Sequence, residues 1–294
     1  MAAIIRKELA DGFSSWRCFI FMILVFGISA LALVSAHQGI RSGGSEGFIF
    51  LRLYTTQPTF GGGLAPIFIF INIVALIFVP LIGISLGFDA INRERTGGTL
   101  SRIMSQPVYR DSVINGKFLS GIIILSIMMT TSLLLIAGYG LMMIGVPPSP
   151  EEIIRLFIYL ICIIIYGAFW IALSILFSVL FRSVATSIIC SVALWMFFGF
   201  GIFLISNVGE SARILIWLSP AQLFGNVSAA ILHPMIRTLG TISQAQMTHM
   251  IPNPISLGQS MLLVWPHLTG LISLSVICFA ISYILFMRQE IRAT

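Results

Sequence analysis

Six long apolar runs that contain no Lys, Arg, Asp or Glu constrain this chain more than any other feature. They cover Cys18–Ala36, Ala65–Phe88, Phe118–Gly145, Leu156–Phe181, Ser183–Ser206 and Trp265–Met287. A helix needs roughly 20 apolar residues to cross the hydrocarbon core of a bilayer, and these runs supply about that or more. In lipid every backbone N–H and C=O must be satisfied inside the protein, so only helices and closed barrels span. Barrel strands alternate apolar and polar residues over segments of about ten. These runs are continuous, so the expectation is an all-α polytopic membrane protein with six transmembrane helices, a single transmembrane domain over residues 1–294. Charged residues make up 9% of the chain, against about 25% in soluble domains. The run Phe118–Gly145 exceeds what a span needs, so it tilts or protrudes. Only Arg182 and its neighbours separate the fourth and fifth runs, which predicts a tight helical hairpin.

Basic residues set the orientation. With the N-terminus inside, eleven of the 16 Lys and Arg residues fall in inner segments and five in outer ones. By the positive-inside rule both termini are expected in the cytoplasm, with the protein in the cell membrane. The net charge of +6 is therefore a topology signal first. No basic patch is interleaved with exposed aromatics, which argues against nucleic acid as a partner. Val34-Ser35-Ala36 looks like a signal-peptidase site, but the apolar run before it is longer than the 7–15 residues of a signal h-region, so the first span reads as a retained anchor. Cys18, Cys162, Cys190 and Cys278 all fall inside apolar runs and read as small buried hydrophobes.

What the spans lack excludes several functions. Ion-driven carriers place ionisable groups at membrane depth, and here Asp89 reaches only the inner edge. No filter-like Thr-Val-Gly-Tyr-Gly loop is present. A phosphate-binding loop needs Gly-Lys followed by Ser or Thr, with an earlier glycine. Gly116-Lys117 is followed by Phe118, and Lys7 has no adjacent glycine. No cofactor is therefore expected in this chain, and it is not expected to be an enzyme. Glu151-Glu152 follows a Pro-rich stretch and reads as a helix N-terminus on the outer surface, where acidic residues suit the macrodipole.

The segment from Asp89 to Lys117 holds five of the 16 basic residues between two spans. Gly97-Gly98 interrupts the helix leaving the membrane. Thr99 then caps a short helix in which Leu100, Ile103 and Met104 share one apolar face. Pro107 ends it, and Asp111 caps the helix that becomes the third span. The shape is a short amphipathic helix rimmed by arginines, suited to a lever bound by a cytoplasmic partner. The residues alone leave open a plainer reading, an ordinary charged loop obeying the positive-inside rule.

The stretch FDAINRERTGGTLSRIMSQPVYRDSVINGK resembles the signature of type-2 ABC transporter permeases. The matching positions are Asp89, Ile91, Glu94, Arg95, Gly98, Thr99, Leu100, Pro107, Val108, Arg110, Gly116 and Lys117. Thr96 departs from the pattern, which favours an acidic residue there. IIRKELAD resembles the family's cytoplasmic N-terminal helix. In it Ile5, Leu9, Phe13 and Trp16 share one face, so residues 1–17 are expected as an in-plane interfacial helix. Leu218-Ser219-Pro220 and the ending FMRQEI resemble further family elements. The start and the loop look most like permeases associated with maturation of multicopper enzymes, including the nitrous-oxide-reductase accessory type.

The resemblance implies a half-transporter: two permease copies, as homodimer or heterodimer, above two separate ATPase subunits that carry ATP and Mg. The loop 89–117 would be the coupling segment, with Asp89, Glu94, Arg95, Gly98, Thr99, Leu100, Ile103, Met104 and Pro107 contacting the ATPase. The alternative is an ATPase-driven membrane scaffold that acts on an extracytoplasmic protein without moving a solute. Residues 207–264 form a long outer loop, and in the family this region forms short re-entrant helices. It carries His233, Met235, Met247, His249 and Met250. Imidazole and thioether together suit copper(I), but no ligand spacing specifies a site. Chance placement among 13 methionines is the reading that fits better.

Overall fold

The computed structural model describes residues 1–42, 50, 51, 54, 69–98, 109–145, 147–201, 218–232 and 255–288. All regular structure among them is helical. Helix α1 (Ala2–Phe13) meets α2 (Trp16–Ser42) at an angle of 64°. The elbow has a local cause. Ser14 Oγ donates to the Ala10 carbonyl and Ser15 Oγ to that of Gly12, each at 2.7 Å. Such bonds compete with the helix ladder. Ser15 Oγ then accepts from the Cys18 amide at 3.3 Å, as an N-cap does. The expected single in-plane helix over 1–17 therefore stops at Phe13. Trp16 belongs to the next helix and is 72% exposed rather than aligned with Ile5 and Leu9.

A π-wound segment, Ile69–Phe78, runs into α3 (Val79–Gly87), which has proline in its first turn. Pro80 has no N–H to offer the preceding turn, and wider winding upstream accommodates the missing bond. After a turn come α4 (Asn92–Thr96), α5 (Arg110–Ile144), α6 (Pro150–Leu180) and α7 (Val184–Met196), the last followed by a π-wound turn Phe197–Gly201. Helices α8 (Pro220–Leu232) and α9 (Leu257–Arg288) complete the described chain. The expected hairpin is present, since α6 ends at Leu180 and α7 begins at Val184.

Among the described residues, four stretches are long and apolar enough to cross a membrane: Val74–Thr96, Arg110–Met142, Pro150–Leu180 and Leu257–Arg288. The bent pair Ala2–Phe13 and Trp16–Leu31 makes a fifth if taken together, and Val184–Gly199 is a shorter apolar helix. Three of the observed helices, α5, α6 and α9, begin about two turns before the expected spans. Polar first turns such as Arg110-Asp111 and Pro150-Glu151 extend them past the apolar runs.

Helix α6 is the centre of the bundle and packs against α3, α5, α8 and α9. Trp170, Tyr166 and Tyr159 are fully buried on it. The Tyr166 ring stacks on Phe224 of α8 with centroids 4.4 Å apart. Against α3 the approach is closer still. A Cβ at Gly83 would stand 2.8 Å from Trp170 Cβ, and one at Gly87 would meet Ser174 Oγ and lie 2.9 Å from the Ile171 carbonyl. Gly83 and Gly87 thus form a Gly-x-x-x-Gly stripe that lets two backbones touch, as membrane helices do where small residues face each other.

Candidate functional site at the charged end of the bundle

The helical path of the second span does not stop at Gly87. It turns once and continues as α4, so Asp89, Glu94 and Arg95 are all held on ordered backbone. Two amide groups in this turn, Ile91 N and Asn92 N, both donate to Ser178 Oγ of α6 at 3.0 and 3.1 Å. The Asn92 side-chain amide donates to the Ser183 carbonyl at 3.4 Å. The base of the loop is thereby fixed to the α6–α7 hairpin. Asp89 forms an ion pair with Arg17 of α2 at 2.9 Å, and the Arg17 guanidinium lies 5.4 Å from the centre of the Phe88 ring. Gly97 caps α4, and Gly98 takes a left-handed φ of +66°, a conformation glycine adopts without cost. The expected break at Gly97-Gly98 is where the chain leaves the helix.

The helix that returns starts at Arg110. Asp111 was expected as its cap. Tyr109 occupies that position instead, and Asp111 sits in the first turn, where its carboxylate accepts from Ser112 N at 2.8 Å. An acidic group there still favours the helix macrodipole. Arg110 reaches across to the end of α9, donating to the Met287 carbonyl at 3.5 Å and lying over the Phe286 ring.

Lys117 gathers these parts. Its Nζ lies 2.8 Å from Glu94 Oε1 of α4 and 3.0 Å from Glu8 Oε1 of α1, and its side chain is 6% exposed. Lys7 approaches the same Glu94 oxygen at 3.7 Å, so both lysines of the chain converge on one carboxylate. Glycines permit the assembly. A Cβ at Gly116 would stand 2.9 Å from Ile4 Cγ2, so bare backbone on α5 is what lets α1 lie against it. A buried cation with two carboxylates from separate elements resists separation, because removing any partner leaves charge desolvated.

Asp89, Glu94, Arg95 and Gly98 are therefore placed together at the foot of the loop, with Asp89 and Glu94 held by different cations. Thr99, Leu100, Ile103, Met104 and Pro107 lie outside the described residues. So do His233, Met235, Met247, His249 and Met250. Sequence reasoning missed Glu8, Arg17 and Ser178, and did not see Lys117 as the junction. One partner of Glu94 is a lysine 23 residues on. One signal was present: the chain has only two lysines, and both stand near the one charged loop or the helix that resembles its neighbour.

At the opposite end of the bundle a second cation is buried. Arg155 of α6 is 1% exposed. It donates to Glu151 Oε1 at 2.8 and 3.1 Å, to the Ile231 and Ile255 carbonyls at 3.1 and 2.8 Å, and to Ser260 Oγ at 3.1 Å. Ser149 and Glu152 form a reciprocal capping box at the start of α6, and Glu152 Oε1 also accepts the Phe50 amide at 2.9 Å. The expected acidic helix N-terminus is there, but Glu152 is buried rather than on the surface.

The helices define a multi-pass membrane protein with charge confined to the two ends of its spans. A family model described as ABC-2 family transporter protein matches residues 2–291. The chain belongs to that family and is a membrane-spanning permease subunit of an ABC transporter. It is 27% identical over 234 residues to the probable ABC transporter permease protein NosY of Pseudomonas aeruginosa, covering 75% of this chain and 78% of that protein. It is also 32% identical over 124 residues to the protein of the same name from Stutzerimonas stutzeri, covering 42% of this chain and 39% of that one.

Proposed function

We propose that the charged end faces the cytoplasm and receives a separate ATPase, which binds ATP and Mg and acts on the loop 89–117. The convergence of α1, α4 and α5 on buried Lys117 carries this reading. A force applied to the loop needs a stiff base if it is to move spans rather than bend a tether. The Lys117 cluster, the Ser178 clamp and the Asp89–Arg17 pair are such a base. In this reading Leu100, Ile103 and Met104 dock on the ATPase, and Thr99 and Pro107 bound the docking helix. The full permease has six spans, with the first made from α2 and the fifth completing Val184–Gly199. Two copies, or one copy and a similar permease, pair in the membrane above two ATPases.

The test is Leu100→Asp, assayed by co-purification with the ATPase and ATP turnover in vesicles. A charge placed in a desolvated apolar contact without a partner costs several kcal/mol. The ATPase should be lost from the complex while the permease still inserts. Retention of the ATPase with full turnover would show that the loop is only topological charge. Transport of a labelled solute in the same vesicles separates the permease from the scaffold alternative.

A further inference from the structure

We propose that the cleft between the α1–α2 elbow and the ends of α3 to α5 is a binding site for a zwitterionic phospholipid, a head carrying both phosphate and ammonium. The cleft encloses about 670 Å³, within the usual range of roughly 300–1,000 Å³ for small-molecule sites. Its lining is graded along the three spans that form its depth, α2, the second span and α5, while α1 and α4 contribute its charged rim. On α5 the wall passes from Lys117 through Ser120 to Ile124 and Met128. At 1.5 Å per residue that is a depth of about 16 Å. On the second span it passes from Asp89 back through Ser85 to Ile82, and on α2 from Arg17 to Phe21. Charge lies at the mouth, small hydroxyl groups one turn in, and apolar side chains below. That order matches an amphiphile entering with its chain inward.

The charge pattern selects the head. Four cations and four carboxylates line the mouth, so it carries no net sign to attract an anionic head. Most of them are engaged with one another. Two are not held closely. Arg93 of α4 is exposed and in no ion pair among the described residues. Asp11 of α1 is 66% exposed, with Lys7 at 3.9 Å. A guanidinium binds phosphate oxygens in a forked geometry, and a carboxylate accepts from an ammonium. Arg93 belongs to α4 and Asp11 to α1, so each end of a zwitterionic head has a partner on its own helix. A soluble ligand would leave the floor of Ile82, Ile124 and Met128 uncovered. That floor lies within the spans, out of reach of a protein docked below.

The experiment uses the permease co-expressed with its ATPase, extracted in mild detergent, and read by native mass spectrometry. A phosphatidylethanolamine carrying a diazirine in its acyl chain is then photolysed with the complex in nanodiscs. The wild type should retain phosphatidylethanolamine through detergent exchange and take label at Ile82, Leu86 or Met128. Arg93→Glu should lower retention about tenfold, the scale of one lost charge-assisted hydrogen bond, and Arg93→Lys, which keeps the charge but loses the fork, should fall between that variant and the wild type. Ser85→Trp, which fills the shaft, should abolish floor labelling while leaving the chain monodisperse. No retained phospholipid, equal retention of phosphatidylglycerol, or label spread evenly over the outer faces of the helices would overturn the site. So would a cross-link from Ser85→Cys to residues 99–108 or to the ATPase in place of lipid. None of these readouts depends on ATP turnover, so a failure here is distinct from a failure of the coupling role.

Discussion

The Nζ atom of Lys117 lies 2.8 Å from Oε1 of Glu94, joining the start of one span to the short helix that follows another. Glu8 completes the cluster from α1 at 3.0 Å. Lys117→Met should leave two carboxylates facing each other without their buried cation, with only the half-exposed Lys7 nearby. Breaking a buried pair this way costs about 3–5 kcal/mol. A clear drop in the thermal unfolding midpoint of the detergent-solubilised permease is expected, and Glu8→Gln with Glu94→Gln in the same chain should recover most of it. Lys7→Met should change little, because Lys7 is 54% exposed and exposed pairs contribute about 0–1 kcal/mol. Equal losses for the two lysine variants would show that burial is not what makes Lys117 matter.

At the other end, Arg155 holds Ile231 and Ile255, which flank residues 233–254 in the chain. Arg155→Ala would strand both carbonyls and Ser260, so the ends of α8 and α9 should loosen together. Hydrogen exchange should speed up in peptides covering 228–232 and 255–262 and stay unchanged around Lys117. Arg155→Lys should rescue poorly, since one ammonium cannot reach acceptors that a planar fork serves at once. Full protection in the lysine variant would mean that charge alone, not the fork, holds the two ends.

Four of the six expected spans, or five with the bent pair, were legible because lipid leaves a strong trace: apolar runs free of charge, ended by charge. The break at Gly97-Gly98 and the α6–α7 hairpin were legible for the same local reasons. The joint was not. Lys117 pairs with Glu8 across 109 residues, and a contact of that separation leaves no periodic mark in one sequence. The elbow was hidden too, because Ser14 and Ser15 break a helix only through where their hydroxyls turn. Nothing local in the sequence marks Arg155 as buried; the placing of α8 and α9 against α6 buries it.

The Gly83 and Gly87 stripe predicts a graded response to size. Gly83→Leu or Gly87→Leu would drive a side chain into Trp170 or into the Ile171 backbone. Overpacking of this kind costs about 1–3 kcal/mol, more where backbone must move. Gly27 on α2 has nothing within 4 Å of a built Cβ, so Gly27→Leu should stay near neutral in the isolated permease. Thermal unfolding of the three variants in one detergent checks the order. If Gly27→Leu destabilises as much as Gly87→Leu, close approach of α3 to α6 is not the cause.

Topology gives the last prediction, and the proposed direction of coupling depends on it. Eleven of the 16 basic residues fall on one side if both termini are cytoplasmic. In a background without native cysteines, Ser45→Cys and Gln244→Cys should react with an impermeant thiol reagent in intact cells. Ser101→Cys should react only after the membrane is opened. Ser101 falls in sequence between α4 and α5, the two helices that Glu94 and Lys117 join. Labelling there in intact cells would turn the protein over in the membrane, place the cluster outside, and remove the ATPase from the only segment proposed to receive it.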